Sequence, residues 1–151
     1  MTEKLLHYIW QFQCYNANSL TTADGESLQI IYPGQHNSNQ GPDFLNAKIC
    51  VNSTIWAGNI ELHVKSTEWL NHKHSEDKNY NNVILHVVWQ DDMRLDLPFP
   101  VLELQSKVSK LLLSKYDELM LAGKFISCEK NIHQIENIFW IAWKERLLVE
   151  R

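Results

Sequence analysis

Residues 46–65 read Asn46-Ala47-Lys48-Ile49-Cys50-Val51-Asn52-Ser53-Thr54-Ile55-Trp56-Ala57-Gly58-Asn59-Ile60-Glu61-Leu62-His63-Val64-Lys65. Two runs rich in Ile, Val and Trp flank a polar pair, Asn52-Ser53, which suits a tight turn. The stretch predicts a β-hairpin, with strands over 46–52 and 55–65. Gly58 marks a bend or a close backbone approach in the second strand. Side chains alternate along a strand, so Glu61, His63 and Lys65 share one face while Ile60, Leu62 and Val64 point to the other. Residues 83–89 (Val83-Ile84-Leu85-His86-Val87-Val88-Trp89) form a nearly unbroken apolar run. Such a run is expected of a strand covered on both faces.

Working outward, Thr2 is placed to cap a first helix that reaches about Tyr15, with Leu5, Leu6, Ile9 and Phe12 on one face. Residues 16–26 read as a polar loop and 27–32 as a strand ended by Pro33-Gly34. A second polar loop, 35–40, closes at Gly41-Pro42. Residues 66–82 are polar and partly helical, starting near Ser66 or Thr67. Residues 100–104 form a weak further strand. After Ser106 the period changes: Val108, Leu111, Leu112 and Leu119 mark a helix that stops near Gly123. A last helix starts near Asn131 or His133, with Ile135, Ile138, Phe139, Ala142, Trp143 and Leu147 on a wide apolar face, and runs to Arg151. Helix, strand, hairpin, short helix, two strands and two helices make an α+β (mixed α/β) fold with a central mixed sheet. The expected division is a core over 1–105 and a helical extension over 106–151. With no cap after its last helix, the chain reads as the front of a longer protein, and that helix as one that docks on the rest of the parent chain or on another subunit.

The 151 residues suit one ordinary domain with a real core. Cys14, Cys50 and Cys128 form no CxxC pair, which argues against a disulfide scaffold or a cysteine zinc finger and for a reducing cytoplasm. No signal peptide and no apolar run long enough to span a membrane is visible. The net charge of −4 speaks against holding nucleic acid by bulk charge alone. That charge is uneven. Residues 1–105 carry 6 basic and 12 acidic side chains, a net of −6, and six of the seven histidines; residues 106–151 carry 8 and 6, a net of +2.

Gly41-Pro42-Asp43-Phe44 precedes one hairpin strand, and Glu61-Leu62-His63-Val64-Lys65 lies in the next. A strand carboxylate among apolar neighbours is costly to bury without a cation or a hydrogen-bonding partner. Two carboxylates joined by a hairpin make an oxygen site suited to Mg²⁺ or Mn²⁺. A neighbouring imidazole or ammonium can position or deprotonate an attacking water. The plainer alternative is a Pro-Asp turn and a surface Glu. Trp69, His72, His74, Asp77, Tyr80 and His86 form a second group. His72 and His74 share a face only if the segment is extended; on a helix they diverge by roughly 200°, and His74 pairs instead with Asp77. Zn²⁺ could use His63, His72 or His74 with an acid; solvated or hydrogen-bonded histidines are the alternative, and His86 reads as a satisfied core histidine. There is no HExxH, P-loop, dinucleotide fingerprint or GxSxG elbow. The tryptophans read first as packing and second as stacking platforms.

Pro42-Asp43 with Glu61-x-His63 resembles the nuclease core known as PD-(D/E)xK, in which a Pro-Asp and an acid-x-Lys hold Mg²⁺ for phosphodiester hydrolysis. Here His63 stands in place of the Lys, and Lys65 lies two residues further on the same face. That resemblance implies a restriction-endonuclease-like core. The longer pattern Gly41-Pro42-Asp43-Phe44, Gly58-x-Ile60-Glu61-Leu62-His63, then Trp69-x-x-His72-x-His74-x-x-Asp77-x-x-Tyr80-x-x-Val83-Ile84-Leu85-His86-Val87-Val88 resembles a bacterial family catalogued as domain of unknown function 2851. Its members are longer and continue with mostly helical sequence; the family name implies no activity.

The expectation is a metal-dependent, nuclease-like hydrolase. Asp43 and Glu61 bind Mg²⁺ or Mn²⁺, His63 or Lys65 orients water, and His72, His74 and Asp77 line the cleft as secondary metal ligands or acid groups, Asp77 counted with the metal residues. Nucleic acid as a partner then needs help from Lys65, Lys73 and Lys78. The alternatives are a non-catalytic binding or assembly module and a zinc hydrolase built on the histidines.

Overall fold

The computed structural model describes residues 1–121 and 134–149. It is a mixed α+β structure whose centre is a seven-stranded mixed sheet. In chain order the elements are α1 (Glu3–Gln11), β1 (Leu20–Thr21), β2 (Ser27–Tyr32), β3 (Gln35–His36), β4 (Phe44–Val51), β5 (Thr54–Lys65), α2 (Glu68–Asn71), two 3-10 turns (His74–Glu76 and Lys78–Tyr80), β6 (Val83–Gln90), β7 (Val101–Glu103), α3 (Lys110–Leu121) and α4 (Asn137–Val149). The sheet runs β1-β2-β4-β5-β6-β7, with β3 pairing off-path to β4.

The hairpin decides the layout. β4 and β5 pair antiparallel, Val51 opposite Thr54, and Asn52-Ser53 makes the two-residue turn with φ of 45° and 77°. Positive φ at both positions matches the right-handed twist of the flanking strands. β5 then pairs parallel with β6, placing Glu61 beside His86 and His63 beside Val88. β6 pairs parallel with β7, His86 beside Val101. A parallel pair needs a crossover, and residues 66–82 supply it. Its N-cap position is Thr67, one of the two starts the sequence offers, though without a side-chain cap bond, and the helix it opens has four residues before two 3-10 turns take over. Gly58 sits where β5 passes from one regime to the other. A Cβ there would stand 2.5 Å from both the Asn82 carbonyl oxygen and Ile84 Cγ2, and the β5–β6 register shifts between Asn59 and Ile60.

Thr2 caps α1 as expected, its hydroxyl accepting from the Leu5 N–H at 3.3 Å. The helix ends at Gln11 rather than near Tyr15. Gln13 takes a left-handed φ of 51°, the Cys14 N–H reaches the Ile9 carbonyl and the Gln13 N–H the Trp10 carbonyl. That is a Schellman stop with Gln in the position usually held by Gly. Phe12, expected on the buried face, therefore lies past the last turn and is exposed. Trp10 takes its place with Leu5, Leu6 and Ile9, its indole N–H donating to the Pro33 carbonyl at 3.0 Å. The core beneath is Phe44, Ile49, Ile60, Leu62, Leu85, Val87, Leu102 and Leu104.

β1 and β3, both read as loop, have two residues each, too few for alternation to show. The remaining strands begin or end within two residues of their expected limits. The chain forms two compact units, Met1–Ser109 and Lys110–Arg151. In the second, α3 and α4 are the described helices, and Ile138, Phe139, Trp143 and Leu147 of α4 are exposed. Residues 134–136 are not helical and α4 begins at Asn137, so Ile135, expected on its apolar face, precedes the helix; the helix stop near Gly123, residues 131–133, Cys128 and the end at Arg151 lie outside the described residues. Among the described residues, no helix is long and apolar enough to cross a membrane.

Candidate metal centre

Strand pleating sets the floor of the site. Glu61 and His63 alternate on β5 with Ile60, Leu62 and Val64, and the parallel register lays His86 beside Glu61 on the same face. The crossover supplies the walls. His72 ends α2, and His74 begins the first 3-10 turn. Between them Lys73 adopts a left-handed φ of 55°. This reversal brings the two imidazoles together, ring centroids 5.2 Å apart, where a continuous helix would have separated them.

Asp43 enters from the start of β4. Its backbone N–H donates to Glu61 Oε2 at 3.1 Å, and its own Oδ2 accepts from the Leu62 N–H at 2.9 Å. The two acids thus clasp one another across the hairpin. Glu61 Oε1 faces the histidines, 3.3 Å from His74 Nε2 and 3.6 Å from His63 Nε2. His63 Nε2 lies 3.1 Å from His72 Nδ1, and His63 Nδ1 lies 2.9 Å from His86 Nε2. Ligand nitrogens of His63, His72 and His74 all stand within 4.8 Å of one another. Glu61, His63, His74 and His86 are buried, while His72 is exposed and marks the open side.

Trp69 is the apolar wall. Its ring centroid lies 5.1 Å from that of His74 and 5.3 Å from that of His86, and its N–H is held by Ser75 Oγ at 2.9 Å. Tyr80 stacks on His74 with centroids 3.9 Å apart.

Burial sets the protonation of the group. Desolvation, reinforced by the neighbouring imidazoles, holds His63 down to about 2. Desolvation, then His74, holds His86 down to about 3. His74 is lowered by burial and by His72. All three are therefore neutral imidazoles, the form that donates a lone pair to a metal. Glu61 is pushed up to about 9 by burial and by the charge of Asp43. Three buried nitrogens, His7 Nε2, His74 Nε2 and His86 Nδ1, have no hydrogen-bond partner.

His7 of α1, which the sequence did not single out, joins this centre. Its Nε2 is 3.3 Å from Asp43 Oδ2. Burial acts to lower its pKa, but the Asp43 carboxylate beside it, with Glu3 further off, outweighs that and raises it. One expected residue lies apart. Lys65 is exposed and its Nζ is 3.9 Å from Asp92 Oδ2, so His63, not Lys65, is the group beside Glu61. Asp77 caps the second 3-10 turn, its Oδ1 accepting from the Asn79 N–H at 2.9 Å. His86, read as a satisfied core histidine, is fully buried and satisfied at one nitrogen.

The family model described as Protein of unknown function (DUF2851) matches residues 3–151. The chain belongs to this family. A DUF2851 protein thus brings together Asp43, Glu61, His63 and His86 of its sheet region, His72 and His74 of the crossover and His7 of α1. No curated protein and no solved structure matches the chain.

Proposed function

We propose that this DUF2851 chain is a divalent-metal-dependent hydrolase acting on phosphodiesters, with its centre at Asp43, Glu61, His63, His72 and His74. One observation carries the reading: Glu61, buried and clasped to Asp43, points its Oε1 at two neutral imidazoles. A carboxyl that burial and a second acid hold at about 9 is one that a cation would ionise. The hairpin followed by parallel strands, with Pro42-Asp43 and Glu61-x-His63 in their motif places, supports the nuclease-like choice of substrate.

A bound divalent cation supplies Lewis-acid polarisation and offsets the charge that develops on a phosphoryl group. The chain's own groups do the rest. Trp69 and Tyr80 shut water out of one side, and exposed His72 leaves the other open. His7, its pKa raised by Asp43, holds a proton at Nε2 beside the centre and is placed to act as general acid. Lys73, adjoining both crossover histidines, is the cation nearest in sequence to draw a phosphate toward an otherwise acidic unit.

The test is turnover of bis(4-nitrophenyl) phosphate by the full chain with Mg²⁺, Mn²⁺ or Zn²⁺ supplied in turn. Turnover that Asp43→Asn and Glu61→Gln abolish supports the reading. Absence of turnover with all three ions, in protein shown to be folded, overturns it.

A further inference from the structure

We infer that the ion this centre takes is a zinc-class transition metal, held by His63, His72, His74 and Glu61 Oε1 in a four-donor set that a substrate oxygen would join as a fifth ligand or enter by displacing Glu61, with His86 as the residue that positions His63. The inference rests on the reading of a metal centre above and names its cofactor and ligands.

Four ligands at about 2.0–2.1 Å from a tetrahedral ion stand about 3.3 Å from one another. Three of the six edges among the four donors are close to that value: 3.1 Å for His63 Nε2 to His72 Nδ1, 3.3 Å for His74 Nε2 to Glu61 Oε1, and 3.6 Å for His63 Nε2 to Glu61 Oε1. The three nitrogens close within 4.8 Å. The donors come from a buried strand and from a turn pinned by Trp69, so the set is held before any ion arrives.

Donor chemistry decides the class. Magnesium and calcium take oxygen and keep much of their water shell, whereas imidazole suits zinc and its neighbours. Three nitrogens and one carboxylate oxygen make a poor magnesium cage and an ordinary zinc one. His74 Nε2, buried, without a hydrogen-bond partner and 3.3 Å from Glu61 Oε1, is a ring nitrogen whose need an ion at this point would meet.

His86 completes the arrangement. A metal-bound histidine commonly donates its other ring N–H to a fixed acceptor, which sets tautomer and ring direction. His63 Nδ1 meets His86 Nε2 at 2.9 Å, both rings fully buried. With its proton on Nδ1 and given to His86, His63 presents a bare Nε2 toward His72, His74 and Glu61. His86 does not touch the ion; it acts through His63.

The experiment is calorimetric titration of the metal-free full chain with Zn²⁺ alone and with Mg²⁺ alone. One tight Zn²⁺ site per chain is expected, with Mg²⁺ unable to compete at millimolar concentration. His72→Ala, at an exposed position that should fold, and His74→Ala should each weaken zinc binding more than His86→Leu. The latter should lose about 10–100-fold, with His86→Gln, which can still accept from His63, restoring most of it. Because His86→Leu could disturb the core, nitrogen NMR of zinc-loaded wild type serves as a second reading: His63 should keep its proton on Nδ1. Magnesium competing on equal terms, or His72→Ala and His74→Ala binding zinc like wild type, overturns the ligand set. A bare Nδ1 on His63 overturns the role of His86. Zinc binding without phosphodiester turnover would sink the hydrolase reading and leave this inference standing. Magnesium-driven turnover untouched by His72→Ala and His74→Ala would do the reverse.

Discussion

Glu61 is the residue on which the centre turns. Burial and Asp43 push its carboxyl up to about 9, while in the unfolded chain it titrates near 4.5. Folding without metal therefore takes up a proton between those limits, and the stability this carboxyl contributes, fully present at low pH, is lost as pH rises through the window. Glu61→Gln needs no proton. In metal-free protein it should gain on wild type between about pH 5 and about pH 8. The buried histidines titrate in both proteins and cancel in the comparison. Melting temperatures at the two pH values check this, and a gap that stays constant contradicts it. His7→Gln should leave zinc affinity intact and lower the hydrolytic kcat by roughly 100-fold, the size expected for a general acid; unchanged kcat removes His7 from that role. Asp43, Glu61 and His63 were legible in the sequence because strand alternation and a short motif fix their faces. His7 was not, because nothing in its helix distinguishes it from a polar surface residue; only packing carries it to Asp43.

At the scale of elements, β5 holds the site by pairing antiparallel on one side and parallel on the other. Gly58 lets β5 approach the start of β6, since any Cβ would meet the backbone oxygen of Asn82. Backbone cannot yield as a flexible side chain does. Gly58→Ala should therefore cost about 1–3 kcal/mol by overpacking, measured by urea unfolding, and should weaken metal binding by displacing Glu61 and His63. A neutral result would show that the approach is not tight. The hairpin, β2 and β6 were legible because apolar runs bounded by turn residues record their own burial. The crossover was legible only in outline. Its geometry depends on Lys73 taking a left-handed conformation, which no side-chain pattern announces. The sequence therefore left His72 and His74 either diverging on a helix or meeting on an extended segment, and the structure uses a third route, a helix end and a 3-10 turn.

For the whole molecule, the acidic segment and the sheet unit coincide. Residues 1–105 carry a net charge of −6 and make up nearly all of the compact unit Met1–Ser109. Every residue assigned to the metal centre lies in that unit. A chain ending at Ser109 should unfold cooperatively and bind zinc as the full chain does. Loss of binding in a folded fragment would place part of the site in the second unit. The α+β class and the mixed sheet followed from the order of strand and helix patterns. The grouping of the histidines did not, because which of the six in residues 1–105 meet in space is decided by tertiary packing.

The most direct measurement is the zinc-edge X-ray absorption spectrum of the zinc-loaded full chain. The account predicts four nitrogen or oxygen donors at about 2.0–2.1 Å, with the outer-shell scattering of three imidazole rings. A six-oxygen shell without imidazole scattering, a sulfur shell at about 2.3 Å, or a folded chain that retains no zinc would contradict it.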